Sequence, residues 1–258
     1  MDFKDVAIHA AREAGSVHEK YFQKDFSVTE KTSSFDLVTV ADVEAEQTIV
    51  SLIKKQYPDH NFLCEEQKYE KTASPYTWII DPLDGTNNFS SGLPIFCVSI
   101  ALMAHDEIIL GTIYDVTRDE LFFAEKGKGS FLNDIPIRVN ETAELQRSLL
   151  ITGFYYNRGE EMIETLENIK SFFKKPILGL RRLGAAALDL CYVASGRAAG
   201  FWEFELNPWD FAAGKLIIEE AHGKITDKYG QTVDAGKKSY IVASNGKIHS
   251  QMIKILKR

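Results

Sequence analysis

The apolar residues at the start of the chain recur at helical spacing. They fall three or four positions apart through residues 1–21, and the same spacing returns through residues 43–57. Such spacing places apolar side chains on one face of a helix, and a helix does not normally continue into a proline such as Pro58. The pattern therefore predicts two leading amphipathic helices, of which the second ends before Pro58.

From residue 62 onward the pattern changes to short apolar runs bounded by turn residues. Runs of this kind are typical of β-strands, and Gly127 and Gly129 mark a turn. Several of these strands are expected to be antiparallel. The predicted strands cover residues 62–64, 77–80, 96–103, 108–114 and 120–124.

After about residue 145, strands and helices alternate along the chain. Strands are predicted near Leu149 and Ile177 and over 199–204 and 240–243, with helices over 160–173, 184–195, 209–221 and at the C-terminal end. This alternation is typical of α/β structure. We therefore expect an α+β half, residues 1–145, packed on an α/β half, residues 146–258. No Pro-, Gly- or Ser-rich linker separates the halves, so they are expected to form one compact unit.

Composition and charge exclude several classes of protein. The 258 residues are 45% apolar and 26% charged, which is typical of a globular chain with a sizeable core. Acidic residues outnumber basic ones by 37 to 30, giving a net charge of −7, whereas a nucleic-acid partner calls for a basic face. The longest apolar run, residues 93–104, is too short to span a membrane. Neither nucleic acid nor membrane is expected as a partner.

The cysteines and the N-terminal residues bear on the compartment. Cys64, Cys97 and Cys191 are odd in number, lie far apart in sequence and form no CxxC pair, which favours reduced thiols. The first residues read as an amphipathic helix and not as a signal peptide. We therefore expect the protein in the cytoplasm.

The segment Trp78-Ile79-Ile80-Asp81-Pro82-Leu83-Asp84-Gly85-Thr86-Asn87-Asn88-Phe89 is the most informative for chemistry. A buried strand runs directly into two carboxylates, Asp81 and Asp84. Carboxylate oxygens are ligands that Mg²⁺ and Ca²⁺ prefer, and the amides of Gly85 and Thr86 suit a phosphate if a helix begins there. A plain turn with Thr86 as the helix cap is the alternative, although a second carboxylate at the edge of an apolar strand still needs a partner for its charge.

Two familiar motifs do not fit this segment. An EF-hand loop needs acids at alternate positions before the glycine, where Pro82 and Leu83 stand. Phosphatases of the haloacid-dehalogenase type need a nucleophilic aspartate two positions before Asp84, and that position is again Pro82. Without this carboxylate, an aspartyl-phosphate intermediate has no obvious nucleophile.

Three blocks of residues together resemble the inositol monophosphatase family. They are Leu63-Cys64-Glu65-Glu66, the DPLDGTNNF segment and Pro208-Trp209-Asp210-Phe211-Ala212-Ala213-Gly214. A DxxDGT motif alone is unspecific, whereas three blocks in family order, in a similarity that spans nearly the whole chain, are specific. The resemblance implies a lithium-sensitive, Mg²⁺-dependent phosphomonoesterase. It also implies a layered α/β/α/β/α sandwich, as in inositol monophosphatases and fructose-1,6-bisphosphatases, and a homodimer.

The resemblance also assigns metal ligands. Glu65, Asp81, Asp84, Asp210 and the carbonyl of Leu83 match the family's ligands for two or three Mg²⁺ ions, for which Mn²⁺ can substitute, with Ca²⁺ and Li⁺ inhibitory. Four carboxylates in one cleft repel each other unless divalent cations offset their charge. Each of these acids also has an explanation other than metal binding. Glu65 could be a surface acid after a strand, and Asp210 could be an acid in the first turn of a helix, where the helix dipole favours it.

Thr86 matches the residue that orients the attacking water in the family, helped by Asp42. The implied mechanism is direct in-line displacement by water, without a covalent intermediate, with Glu65 and Asp84 counted among the catalytic residues. Asp42 also completes a capping-box pattern with Thr39, and the two roles can coexist. Lys31 matches a basic residue of a mobile loop near the third metal, although a solvated lysine is the alternative.

Substrate-binding residues are matched further along the chain. Glu203 matches the family's hydroxyl-binding glutamate, and a strand-end acid is the alternative. Gly184, Ala185 and Ala186 are expected to line the ring pocket, although Gly-Ala-Ala is also a helix-packing sequence. Arg181 and Arg182 could hold a second phosphate, as in fructose 1,6-bisphosphate or NADP, or could pair with helix acids.

The expected substrate is a small phosphorylated metabolite, with inositol 1-phosphate first. Fructose 1,6-bisphosphate, the 2′-phosphate of NADP and 3′-phosphoadenosine 5′-phosphate remain open on the same scaffold. The alternative from another class is a regulatory binding protein that retains the fold without catalysis. The retained acids and Thr86 favour the enzyme, since a pure binding module has no chemical need for them.

Overall fold

The computed structural model describes residues 2–24, 28–33, 36–154 and 159–257, without the side chains of 28–33 and 36–38. The helices in this part of the chain are α1 Phe3–Tyr21, α2 Val40–Gln56, α3 Thr86–Ser90, α4 Glu160–Phe173, α5 Ala186–Ala194, α6 Pro208–Glu220 and α7 His249–Leu256. The strands are β1 Val28–Ser33, β2 Asp36–Thr39, β3 Asn61–Cys64, β4 Tyr76–Asp84, β5 Cys97–Ala104, β6 Glu107–Asp115, β7 Glu120–Glu125, β8 Gly129–Leu132, β9 Ile135–Pro136, β10 Leu149–Thr152, β11 Gly179–Arg181, β12 Gly200–Leu206, β13 Lys224–Thr226 and β14 Ser239–Ser244.

A seven-stranded sheet is built from residues 61–136, with the strands in the order β3-β4-β5-β6-β7-β8-β9. β3 runs parallel to β4, and every later neighbour in this sheet is antiparallel. The predicted antiparallel pairing is therefore confirmed. One face of the sheet is covered by α1 and α2, whose buried alanines and aliphatic residues pack on Trp78, Ile80 and Ile100.

A five-stranded sheet is built from residues 149–244, in the order β11-β10-β12-β14-β13. β10 is parallel to both of its neighbours, β11 and β12, while β14 is antiparallel to β12 and β13. One face of this sheet packs on α4 and α7 through a cluster that includes Phe172, Trp202 and Met252.

The two sheets face each other across α5 and α6. A continuous apolar cluster joins residues of both sheets to these helices, for example Ile79, Phe211 and Ile241. The layers are thus helix, sheet, helix, sheet and helix, and the predicted α/β/α/β/α sandwich is confirmed. Burial of apolar side chains in three such clusters supplies the main driving force for this stacking.

A close approach fixes α6 on the seven-stranded sheet. A Cβ atom at Gly111 in β6 would lie 2.6 Å from the carbonyl oxygen of Ala213 in α6, so a larger residue at position 111 would push the helix away. The helix that carries Asp210 is therefore seated directly on the sheet that carries Asp81 and Asp84.

The elements that sequence patterns missed are short or edge strands. β1, β2, β8, β9 and β13 contain two to six residues, too few for a clear alternation. Helix α5 begins at Ala186 and not at 184, because Gly184 adopts a positive φ of 90°, which a helix cannot include. Strand β11 begins at Gly179, two residues beyond Ile177. Among the described residues, no helix is both long and apolar enough to cross a bilayer.

Candidate active site

A β-bulge brings Asp81 and Asp84 to one face of the sheet. Asp81 pairs with Ser99 and Asp84 with Cys97, so three steps along β4 match two steps along β5. Without the extra residue, two positions three apart would point to opposite faces. The bulge at Pro82 and Leu83 therefore creates the carboxylate pair at the end of the strand.

Glu65 reaches the same place from the neighbouring strand. β3 is parallel to β4, and the amide of Glu65 donates to the carbonyl of Ile80 at 3.2 Å, so Glu65 stands beside Asp81. Its carboxyl group shares a hydrogen bond with that of Asp81. Two acids from adjacent strand ends thus meet.

The chain after Glu65 is held by an acid that sequence reasoning missed. Glu46, on α2, is fully buried and accepts a hydrogen bond from the amide of Glu66 at 2.9 Å and one from the hydroxyl of Tyr69 at 3.2 Å. Its i, i+4 spacing from Asp42 on one helix was the available signal.

Asp210 enters the cluster from the first turn of α6. Its Oδ2 accepts the amide of Asn207 at 2.6 Å, and Pro208 occupies the first helical position. The hydroxyl of Ser99 on β5 donates to the carbonyl of Trp209 at 3.2 Å, which ties the start of the helix to the seven-stranded sheet. The second half of the chain thereby adds its acid to those of the first half.

The clustering of acids raises their pKa values. Asp81 is only 2% exposed, and burial, followed by the charges of Glu65, Asp84 and Asp210, raises its pKa well above the usual range. Burial and the charge of Glu65 likewise raise the pKa of Asp210. For Asp84, burial is again the largest cause, and its pKa is raised to about 6.

The residues of this cluster suit divalent cations. Within the described part of the chain, no lysine, arginine or histidine pairs with Asp81, Asp84 or Asp210, although clustered carboxylates need compensating positive charge. No three acidic, histidine or cysteine side chains of the described residues form a ready-made metal cage. The fit rests on the donor set, which is oxygen only and matches Mg²⁺ and not a softer metal.

Thr86 and Asp42 meet at the edge of the cluster. The Oγ1 atom of Thr86 lies 3.0 Å from Oδ1 of Asp42 and 3.0 Å from the carbonyl oxygen of Leu83. The other oxygen of Asp42 accepts the amide and the hydroxyl of Thr39 at 2.7 and 2.5 Å, which completes the predicted capping box of α2. Burial is the largest cause that raises the pKa of Asp42 to about 6.

The turn at Gly85 requires glycine. Its φ is +96°, and a Cβ atom there would lie 2.8 Å from the carbonyl oxygen of Ile95. Gly85, and not Thr86, is the residue that precedes the first turn of α3. Asn88 then donates to the carbonyls of Ile95 and Leu183 at 2.8 and 2.9 Å, which links this loop to the segment before α5.

The start of α5 holds Asp84. The amide of Ala187 donates to Oδ2 of Asp84 at 2.7 Å, and the amide of Ala186 also favours the ionised carboxylate. The thiol of Cys97 lies 3.8 Å from the same oxygen. Of the residues expected to line the substrate pocket, Ala185 is buried, with 1% exposure. The three small residues at 184–186 therefore lie beside the clustered acids.

The charges of Glu203 and Arg182 interact with each other, and the charge of Glu203 also acts on Asp210. Glu203 is mostly buried, and burial, opposed by the charge of Arg182, raises its pKa to about 8. The Arg182 guanidinium carbon lies 5.7 Å from the ring centre of Phe154. Arg181, by contrast, is exposed on β11 and donates to the carbonyl of its neighbour Leu180 at 3.0 Å, so it is not brought to Glu203.

Asp189 on α5 was missed by sequence reasoning. It is 1% exposed, neither carboxyl oxygen has a hydrogen-bond partner among the described residues, and burial with the charge of Glu203 raises its pKa well above the usual range. An acid in a run of apolar helix residues was the available signal. Lys31 lies in β1, and its side chain is outside the described part of the structure. Cys64, Cys97 and Cys191 form no disulfide and are buried.

The fold is thus a layered α/β/α/β/α sandwich in which acidic side chains from both halves of the chain come together. A family model described as "Inositol monophosphatase family" matches residues 2–258, and the chain belongs to that family. The family assignment made from the three sequence blocks is confirmed.

Curated relatives carry several names. The chain is 41% identical to an inositol-1-monophosphatase of Synechocystis sp., over 98% of this chain and 88% of the relative. It is 42% identical to a putative Nus factor SuhB of Neisseria meningitidis, over 98% and 97%. A fructose-1,6-bisphosphatase/inositol-1-monophosphatase of Thermotoga maritima is 39% identical, over 99% and 96%. Two of these names describe phosphatases and the third a Nus factor, so the names leave the substrate open.

Solved structures agree on the fold. The extragenic suppressor protein SuhB of Bartonella henselae has a TM-score of 0.92 at 39% identity, covering 99% of this chain and 98% of that one. An IMPase/NADP phosphatase complexed with Mg²⁺ and phosphate has a TM-score of 0.83 at 26% identity, covering 95% and 90%. The latter structure therefore holds Mg²⁺ and phosphate in a protein of the same fold.

Proposed function

We propose that the protein is a Mg²⁺-dependent phosphomonoesterase that hydrolyses inositol 1-phosphate or a related small phosphate ester and releases inorganic phosphate. The observation that carries the proposal is the meeting of Glu65, Asp81, Asp84 and Asp210 beside the pair of Asp42 and Thr86. Membership in a phosphatase family and the relative complexed with Mg²⁺ and phosphate support it.

The acids of the cluster would hold two or three cations, together with the carbonyl of Leu83. Bound Mg²⁺ supplies positive charge and lowers the pKa of water toward neutrality. Mn²⁺ has the same preference for oxygen ligands and is expected to substitute, whereas Ca²⁺ and Li⁺ are expected to inhibit. Cation binding also holds the clustered carboxylates ionised, because it opposes the rise in pKa that burial causes.

Thr86 and Asp42 are placed to orient the nucleophile. The hydroxyl of Thr86 donates to Asp42 or to the carbonyl of Leu83 and can accept a hydrogen bond from a water. Asp42 can accept a proton through Oδ1 while Oδ2 keeps the helix cap. The amides of Gly85 and Thr86 are proposed to contact the phosphate, and the match of Lys31 to a basic residue of the family proposes it as a further phosphate contact. The attack is direct, since no residue here is placed as a covalent nucleophile of the haloacid-dehalogenase kind.

Substrate choice is assigned to the opposite side of the cleft. A carboxylate such as Glu203 accepts hydrogen bonds from sugar hydroxyls, and Gly184, Ala185 and Ala186 leave room for a ring. Arg182 is the one of the two arginines that lies near Glu203, so it is the residue proposed to contact a second phosphate. Arg181, hydrogen-bonded within its own strand, is a weaker candidate.

A single phosphate-release panel tests this proposal. The purified protein is assayed with inositol 1-phosphate, fructose 1,6-bisphosphate, NADP, histidinol phosphate and 3′-phosphoadenosine 5′-phosphate, in Mg²⁺, in chelator, and in Mg²⁺ with Li⁺. We expect Mg²⁺-dependent release with the highest kcat/KM for inositol 1-phosphate, and inhibition by Li⁺. Release from none of these esters overturns the proposal.

Bisphosphate hydrolysis is the second candidate activity. It is favoured by the Thermotoga maritima relative, whose name includes fructose-1,6-bisphosphatase, and by the guanidinium of Arg182 near the pocket. A higher kcat/KM for fructose 1,6-bisphosphate than for inositol 1-phosphate would make it the main activity. The Arg182→Ala variant should then lose activity on fructose 1,6-bisphosphate and keep activity on inositol 1-phosphate.

A regulatory role is the candidate from another class, and the relatives called Nus factor SuhB favour it. The same panel separates the two, because a protein that acts only by binding partners releases no phosphate from any ester. The acids and Thr86 in this chain favour catalysis.

A homodimer is also proposed. Ile163, Leu166 and Phe173 are 62, 51 and 56% exposed along one side of α4, and the nearby Leu178 is 71% exposed. Large apolar side chains exposed together favour association. Sedimentation at micromolar concentration should give about twice the mass of one chain, and a monomer at all concentrations would contradict this.

A further inference from the structure

Gly153 lies directly against the carboxyl group of Glu203. A Cβ atom added to Gly153 would overlap both carboxyl oxygens and the carboxyl carbon of Glu203. Gly153 follows β10, and Glu203 lies on β12, the parallel neighbour of that strand. The Glu203 carboxyl group therefore occupies the space that a side chain at position 153 would fill.

The backbone conformation does not require glycine at this position. Gly153 is absent from the glycines with positive φ, so an alanine meets no backbone strain there. A larger residue at position 153 would therefore take away the space that the Glu203 carboxyl group occupies.

The backbone at Gly153 has little freedom to move away. Thr152 is fully buried and pairs with Trp202, and its hydroxyl lies 2.9 Å from the Trp202 carbonyl oxygen. The amide of Gly153 donates to the same carbonyl at 3.4 Å. An added Cβ would therefore displace the longer and more flexible Glu203 side chain before it displaced the strand.

We propose that Gly153 is a specificity-determining position, because its missing side chain leaves the space in which the Glu203 carboxyl group lies and can receive a substrate hydroxyl. Gly153 acts through Glu203 and is a positioning residue. The inference rests on the proposed phosphatase function and on the assignment of Glu203 to hydroxyl binding. It predicts that an alanine at position 153 weakens binding of polyhydroxylated esters and leaves the reaction at phosphorus unchanged.

The experiment compares two esters in four proteins: wild type, Gly153→Ala, Glu203→Ala and the double variant. For inositol 1-phosphate we expect Gly153→Ala to raise KM by about 10- to 100-fold, the loss that follows from one hydrogen bond to a charged group. For p-nitrophenyl phosphate, which has no ring hydroxyls, kcat and KM should stay within about twofold. In the Glu203→Ala background, Gly153→Ala should have no further effect, because the overlapping group is gone.

Gly179→Ala serves as the matched control. Gly179 lies on β11 of the same sheet, and a Cβ atom there meets only the flexible end of Arg181 at 3.3 Å and Leu149 at 3.5 Å. This variant should behave as wild type with both esters.

Two outcomes overturn the inference and leave the proposed function standing. One is an unchanged KM for inositol 1-phosphate in Gly153→Ala, and the other is an equal loss with both esters. If Gly153→Ala fails to fold, circular dichroism of the double variant decides: recovery of the fold supports the overlap with Glu203, and failure of both contradicts it. Absence of hydrolysis of both esters by the wild type would instead overturn the proposed function and this inference with it.

Discussion

Two acids of the site also cap helices. Asp42 divides its oxygens between the cap at Thr39 and the hydroxyl of Thr86, and Asp210 accepts the amide of Asn207 at the start of α6. A cap removed by mutation costs about 1 kcal/mol of stability, so variants at either residue combine folding and catalytic effects. Asp84 also accepts the amide of Ala187 at the start of α5, but an asparagine at position 84 keeps an oxygen that can accept it, so Asp84 is the better residue for testing the chemistry.

The Asp84→Asn variant should lose metal-dependent activity. The amide keeps the shape of the side chain and removes the charge that a divalent cation requires. We expect the rate of Mg²⁺-dependent phosphate release to fall on the order of 100-fold or more. Mutation of a residue that only hydrogen-bonds a metal ligand already lowers metal affinity or activity by about 10- to 100-fold. The control is Glu167→Gln, an equally conservative change on the exposed side of α4, which should keep the wild-type rate. A near wild-type rate in Asp84→Asn would contradict the proposal that Asp84 binds a cation needed for the reaction.

Glu203 should make the stability of the cation-free protein depend on pH. Its pKa is raised from 4.5 to about 8, chiefly by burial, so between these values the folded state keeps a proton that the unfolded chain has released. The contribution of Glu203 to the free energy of unfolding is therefore complete below about pH 4.5 and is lost as the pH rises through 8. We expect Glu203→Gln to lack this loss, which is on the order of 3 kcal/mol.

Urea unfolding in chelator at pH 5, 6, 7 and 8 measures the effect. The free energy of unfolding of Glu203→Gln minus that of the wild type should grow with pH. Glu167→Gln should stay parallel to the wild type. A constant difference between Glu203→Gln and the wild type would show that Glu203 ionises normally in the folded state.

Among the elements, two β-bulges shape the cleft. One lies between Asp81 and Asp84 on β4, and the other between Glu203 and Leu206 on β12. Each adds one residue on its own strand, which changes the face to which the following side chains point. The bulge on β4 thus aligns Asp84 with Asp81, and the bulge on β12 lies between Glu203 and the start of the helix that carries Asp210.

Helix α5 should contribute to metal affinity through its first amides. Ala186 is the first residue of α5, and Ala185 before it is extended, with φ −141° and ψ 101°, which is compatible with a following proline. Ala186→Pro therefore removes one amide that favours ionised Asp84 while the helix can still start. We expect divalent-cation affinity to fall about 10-fold.

Titration calorimetry with Mn²⁺ or Mg²⁺ checks this expectation, and circular dichroism checks the fold. Glu160→Pro at the first position of α4 is the matched control, since that helix start lies away from the acids. Unaltered affinity in Ala186→Pro would mean that the amide at 186 does not act on Asp84.

For the whole molecule, the acidic net charge of −7 is concentrated at the junction of the two halves. Glu65, Asp81, Asp84 and Asp210 supply four of these charges, three from the first half of the chain and one from the second. Like charges at a junction oppose the packing of the two halves unless cations offset them. The binding of cations is therefore coupled to the stability of the whole sandwich.

Mg²⁺ should accordingly raise the melting temperature. At a concentration about 100 times Kd, one bound ion adds about 2.7 kcal/mol, which corresponds to roughly 5–10 °C for a chain of this size. Thermal unfolding in chelator and in increasing Mg²⁺ measures the shift. The Mg²⁺-dependent rise in melting temperature should be much smaller in Asp84→Asn. A wild-type melting temperature insensitive to Mg²⁺ would contradict the proposed binding of cations at these acids.

Most of the longer elements could be predicted from the sequence. Helix α4 was predicted at its observed bounds, and α1, α2 and α6 within a few residues, because their apolar spacing extends over several turns. Short strands such as β9 and β13 could not be predicted, since pairing with a neighbour and not their own sequence defines them. The same holds for the start of α5, where the conformation of Gly184 sets the limit.

The family, the sandwich class and the candidate acids could be predicted from contiguous blocks of residues, because each depends on residue types that stand close together along the chain. The contacts between distant groups became known from the fold: Glu46 with the amide of Glu66, Asp84 with the amide of Ala187, and Gly153 with Glu203. The first two contacts join residues 20 and 103 positions apart, and all three depend on strand register and helix packing. Local sequence patterns do not predict such contacts, because register and packing arise only when the sheets and helices assemble.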